Sequence, residues 1–153
     1  MLFRSWGLQA VHRARTKRDR VFYLGAHQGA SSARPGTTVL HLIERLRGKF
    51  VIAFVGTFST YHNPQAMVEA AMALRHRNDL AFVLMGSGDL DQSLRSQGRG
   101  LTNVFFTGWL DSTDISTVLR SSHLGLCTSG KLSEREFLPN KVFAYLAEGV
   151  PIG

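Results

Sequence analysis

The sequence predicts an α/β fold, a parallel sheet with helices on both faces. Three observations carry this reading. Apolar runs of strand length recur from Phe50 onward and alternate with segments of helical periodicity. The connections between them are short, and three strands close on a glycine. The strand candidates are apolar throughout, as strands covered on both sides require.

Each element follows from local signals. Thr37 or Thr38 caps a helix to about Arg47, with Val39, Leu42, Ile43 and Leu46 on one face. Val51–Val55 is a buried strand ending at Gly56. Asn63-Pro64 offers an N-cap and a proline at the first helical position, opening a helix to about Arg77 with Met67, Ala70, Ala71 and Leu74 facing inward. Ala81–Met85 is the second strand, ending at Gly86-Ser87-Gly88, and Asp89 caps a helix through about Gln97. Val104–Thr107 is the third strand, ending at Gly108, and Asp111 or Ser112 caps a helix to about Ser121. His123–Cys127 is the fourth strand. A polar loop, Thr128–Arg135, leads to a helix near Asn140–Ala147 that Gly149 stops, and Pro151-Ile152 starts a fifth strand. Right-handed crossovers gather the strands' C-terminal ends on one edge, where open α/β sheets take ligands.

Composition narrows the function. A chain of 153 residues, 44% hydrophobic and 19% charged, suits one globular domain. No apolar run approaches the ~20 residues of a helical membrane span. A single cysteine, Cys127, excludes an internal disulfide and a multi-cysteine metal site, and the histidines lack ligand spacing. Residues 1–50 hold ten Lys and Arg against Asp19 and Glu44, whereas residues 51–153 hold eight against nine acids. We therefore expect a basic leader and linker over 1–36 and the sheet domain over 37–153. The leader lacks the aromatic, glycine-rich pattern of a single-strand binder, so nucleic acid is not expected; an anionic membrane or an acidic neighbour stays open. The P-loop signature is absent. The turn Gly56-Thr57-Phe58-Ser59-Thr60 holds one glycine and misses the dinucleotide fingerprint. Asp89-Leu90-Asp91 reads as a helix start rather than a metal site.

At the ligand edge, Gly56, Gly86 and Gly108 let a ligand approach the backbone, and the helix starts near Asn63 and Asn140 offer donors suited to phosphate. Lys141 stands in a first helical turn, where the helix dipole disfavours a cation unless an anion is near; it faces phosphate or solvent. Glu136, just before that helix, accepts from sugar hydroxyls or serves as a helix-start acid.

The segment LPNKVFAYLAEGVP (Leu138–Pro151) resembles the PnKxfEYmaaGxP segment of family 4 glycosyltransferases, and most resembles bacterial aminosugar-type enzymes of surface polysaccharide synthesis. FVGTF (Phe54–Phe58), FVLMGSGDL (Phe82–Leu90), NVFFTGWLD (Asn103–Asp111) and SSHLGLCTS (Ser121–Ser129) stand in the same order. The resemblance implies the Rossmann-like C-terminal half of a GT-B fold, incomplete here, with residues 1–25 similar to the tail of a preceding acceptor-binding domain. It implies a nucleotide-diphosphate sugar as donor, UDP-linked by analogy, transfer with retention to a glycan or lipid-linked acceptor, and no cofactor or metal. Glu136 and Lys141 would be the catalytic residues, orienting the sugar and stabilising the diphosphate. Gly56 and Thr57 would approach the phosphates, Gly86, Gly108 and Trp109 would flank the base, and Leu138, Pro139 and Asn140 would meet the diphosphate. The family's second glutamate, which holds the ribose, maps onto Ala144, with Glu148 one turn further on; Thr57 and His62 fall near its usual Arg and Lys. A non-catalytic nucleotide-binding or relic domain is the alternative, and a GT-B-type epimerase a third. A cytoplasmic location follows, peripheral at the inner face of the plasma membrane.

Overall fold

The computed structural model describes residues 34–128 and 139–153. The order is α1 (Thr37–Leu46), β1 (Phe50–Val55), α2 (Gln65–Ala73), β2 (Leu80–Met85), α3 (Asp91–Gln97), β3 (Val104–Gly108), α4 (Ser112–Arg120), β4 (Leu124–Gly125) and α5 (Lys141–Ala147). The strands form one parallel four-stranded sheet, ordered β3-β2-β1-β4. A single parallel bridge, Gly125 to Ile152, adds the start of a fifth strand beside β4. Strand order thus reverses between β1 and β4, the place where such sheets open a crevice.

Two apolar layers cover the sheet. Val51 and Ala53 of β1 pack with Ala81, Val83 and Met85 of β2 under α1, α4 and α5, through Val39, Leu46, Val118, Leu119 and Tyr145. Ile52 and Phe54 point to the opposite face with Phe82 and Leu84, under Met67, Val68 and Ala71 of α2 and Leu94 of α3. Period-2 alternation along each strand sends successive apolar side chains into different layers, which is why the strands are apolar throughout.

Several helix starts differ from the sequence reading. The N-cap of α1 is Gly36, not a threonine, and its N–H donates to Asp114 Oδ1 at 2.8 Å. Asn63 caps nothing with its side chain; it adopts φ 44°, and α2 begins at Gln65 after Pro64. Asparagine tolerates the left-handed region, and the turn here uses that tolerance. Asp89 does not cap α3, which starts at Asp91 behind Leu90; the Asp91 N–H that a cap at 89 would hold donates instead to Gly88 O at 3.0 Å. Asp111 does cap α4, accepting from the Asp114 N–H at 2.9 Å. β4 is shorter than expected, and α2 ends at Ala73 with turns carrying the chain on to Arg77. No helix among the described residues is long and apolar enough to cross a membrane.

Candidate functional site

The C-terminal edge of the sheet is floored by backbone. Past β1 and β2 the loops stay locked together, with Gly56 N–H donating to Met85 O at 3.0 Å, Gly86 N–H to Gly108 O at 2.9 Å and Phe58 N–H to Ser87 O at 2.9 Å. Gly86 has φ 142°, and a Cβ on it would fall 1.9 Å from Gly56 O. Only glycine combines that conformation with that approach. Gly56, at φ 144°, brings its backbone against Lys141, whose Cε would lie 3.5 Å and Nζ 3.7 Å from a Cβ added there.

Lys141 is the chemical centre of this edge. Its residue is 7% exposed, yet its Nζ has no hydrogen-bond partner among the described residues. The ammonium stands 3.9 Å from the centroid of the Phe54 ring, a cation–π contact that offsets part of its lost hydration. An ammonium carries three donors, and burying them unused is costly unless an anion completes the site. Burial pulls the Lys141 pKa down to about 8, against a smaller opposing effect of Cys127. Burial also lowers the pKa of His62, assisted by the charge of Lys141. It raises that of the Cys127 thiol, with Lys141 working against it. His62 is held in place by the Thr128 hydroxyl, which donates to the His62 carbonyl at 2.6 Å.

Tyr145, one turn beyond Lys141, is fully buried between the strand ends. Its hydroxyl accepts from Val55 N–H at 3.2 Å and donates to Leu126 O at 3.0 Å, with Ala53 O at 3.4 Å. Spacing by four residues puts both side chains on one face of α5, which is the sequence signal that could have singled out Tyr145. Phe54 carried no signal beyond its place in a strand.

The structure brings Gly56, Gly86 and Lys141 together and leaves others at the rim. Thr57 is exposed, Gly108 is half-buried at φ 74°, and Trp109 is 77% exposed. Pro139 is half-buried, and Asn140 is exposed and precedes α5 without a side-chain cap. Glu136 and Leu138 lie outside the described residues. Ala144 packs against the apolar layer under α5. Glu148 is committed elsewhere, accepting from Ser116 Oγ at 2.6 Å and Arg120 Nε at 2.7 Å. Burial opposes its charge, but these two hydrogen bonds outweigh burial and lower its pKa. Two surface hollows, of about 500 and 420 Å³, lie away from this edge, one among Phe50, His123 and Ile43, the other between α1 and β3.

The comparisons with known proteins bear on the same residues. Residues 49–152 match the family described as glycosyl transferases group 1. A curated relative, the O-antigen chain mannosyltransferase C of Escherichia coli, is 37% identical over 78 residues, which are 50% of this chain and 20% of that protein. The chain therefore spans about a fifth of that relative's length. Among solved structures, Anabaena HepE in complex with UDP and glucose superposes with a TM-score of 0.64 at 20% identity, over 87% of this chain and 37% of that one. The C-terminal domain of a glycosyl transferase group 1 family protein from Francisella tularensis superposes with a TM-score of 0.54 at 18% identity, over 77% of this chain and 65% of that one. At these identities the superpositions speak to the fold.

Proposed function

This chain belongs to the glycosyl transferases group 1 family, and from that premise we propose that its sheet edge binds the nucleotide-diphosphate sugar of a retaining sugar transfer. The observation that carries the reading is the buried Lys141 ammonium, without a hydrogen-bond partner among the described residues, at the β1–β4 crevice. An anion that brings oxygens to a desolvated cation gains charge-assisted hydrogen bonds in a low-dielectric setting, worth about 1.5–3 kcal/mol each. A diphosphate brings several such oxygens, and the glycine floor of Gly56 and Gly86 admits them beside the backbone. During transfer the leaving diphosphate gains negative charge, and a preset ammonium stabilises that change more than it stabilises the intact donor. The complex of HepE with UDP and glucose favours a uridine donor.

In this reading Lys141 and the backbone of Gly56, Thr57, Pro139 and Asn140 hold the diphosphate, while Gly86, Gly108 and the exposed Trp109 flank the base. Glu136 orients the transferred sugar. The acceptor, a glycan or lipid-linked sugar, is held by a further domain of the whole protein, whose basic segment 1–50 favours a cytoplasmic face beside anionic membrane.

A second reading rests on one observation: position 144 carries no carboxylate, and Glu148 is tied to Ser116 and Arg120. A donor-binding domain without catalytic competence fits that pattern. Titration calorimetry with UDP and UDP-glucose tests the first reading. Uptake by the chain, weakened about tenfold or more in Lys141→Met, is expected from loss of a charge-assisted bond. Absence of uptake, or equal uptake by both proteins, overturns it. If donor binds but the full-length protein transfers no sugar until Ala144→Glu is introduced, the second reading stands.

A further inference from the structure

We propose that Tyr145 is a positioning residue for the same site: its hydroxyl, inserted into the β1–β4 ladder between Val55 and Leu126, sets the width of the crevice in which Lys141 meets the diphosphate. The proposal rests on the donor-binding reading above.

The register makes the insertion explicit. Ala53 pairs with Gly125, and Leu126 N–H donates to Ala53 O at 2.8 Å. In a parallel ladder the next rung runs from Val55 N–H to Leu126 O. That rung is not made directly. The Tyr145 hydroxyl accepts a hydrogen bond from Val55 N–H at 3.2 Å and donates one to Leu126 O at 3.0 Å, so both backbone groups are satisfied across a wider gap. β4 stops at Gly125, immediately before the interrupted rung.

The ring is also fixed. It lies on Gly125, where an added Cβ would fall 2.6 Å from Tyr145 Cγ. Any side chain at 125 would push the ring, and with it the hydroxyl, off the rung. Gly56 follows Val55 directly, and Lys141 stands one turn before Tyr145 on the same face of α5. One hydroxyl therefore links the strand end that carries the glycine floor to the helix that carries the ammonium. Removing it leaves Val55 N–H and Leu126 O without their shared partner across that gap, which loosens the strand end that carries Gly56 against the helix that carries Lys141.

The test is a double-mutant cycle on UDP binding, with the full chain, Tyr145→Phe, Lys141→Met and the double variant. Tyr145→Phe keeps the ring on Gly125, so circular dichroism should be unchanged. The Val55 amide should exchange faster. UDP affinity should fall about tenfold, and the pH at which binding weakens should move. In the Lys141→Met background, Tyr145→Phe should cost nothing further. Binding by Tyr145→Phe equal to that of the unaltered chain, or losses that add in the double variant, overturns the proposal. If Tyr145→Phe does not fold, 3-fluorotyrosine at position 145 alters the hydroxyl's donor strength while keeping the ring. A change in UDP affinity present with Lys141 and absent in Lys141→Met supports the role, and no change refutes it. If the unaltered chain takes up no UDP, the donor reading fails and the positioning role falls with it, while the Val55 exchange rate still reports whether the hydroxyl fills the rung.

Discussion

At position 141 an ammonium is buried against Phe54 and Gly56 with no hydrogen-bond partner among the described residues, and two measurable consequences follow. The first concerns stability. Its folded pKa of about 8 is below its unfolded value of 10.5, so between these values the unfolded chain binds more protons. Stability of the unliganded chain should therefore rise with pH across that window, and the penalty of the buried charge is fully present below it. The shift corresponds to roughly 3 kcal/mol. Lys141→Met should be more stable than the unaltered chain at pH 7 and should lose this part of the pH dependence, as urea denaturation at pH 7 and pH 10 will read. The second concerns ligand. Diphosphate needs the charged form, so UDP affinity should decline as pH rises through about 8, whereas in Lys141→Met it should be weak and flat. The two effects have opposite signs, which separates them in one data set.

The elements are held by a few polar clips that composition does not reveal. Asn103, 3% exposed, donates through Nδ2 to Ala71 O at 2.9 Å and Leu74 O at 3.3 Å, and so closes the C-terminal end of α2 against the start of β3. Asn103→Ala should cost about 1–3 kcal/mol in urea, and Asn103→Asp more, because a carboxylate would meet those carbonyls with no proton to give. Gly86→Ala should cost about 3 kcal/mol or more, since its Cβ would collide with Gly56 O at a backbone conformation hostile to alanine. The strands and the inward faces of α1 and α2 were legible in the sequence because burial imposes a period that survives in the residue order. The caps were less so. Asn63 carried the right chemistry for a cap and went into a left-handed turn instead, while the donor that a cap at Asp89 would hold, the Asp91 N–H, is taken by Gly88 O. Lys141 was legible because a cation in a first turn conflicts with the dipole. The Tyr145 clip was not, since an interrupted rung depends on which strand lies beside β1.

For the molecule as a whole, the two apolar layers share one sheet, and Lys141 and Tyr145 reach it from α5. Ligand held at this edge therefore stabilises the entire fold. At one hundred times its dissociation constant, UDP should add about 2.7 kcal/mol to unfolding, seen as a rise of several degrees in the thermal midpoint, and Lys141→Met at the same UDP concentration should show much less. The charge distribution works at this scale too. Residues 51–153 are nearly neutral while residues 1–50 hold ten basic side chains, so binding of the chain to anionic vesicles should be salt-sensitive and should follow the first segment. Trp109, one of two tryptophans, stands with 77% of its surface in water just past the C-terminal end of β3. Its indole is a built-in optical gauge: in a Trp6→Phe background its emission should begin red-shifted and move blue when a nucleobase or a neighbouring domain lies over it, reporting occupancy without any label.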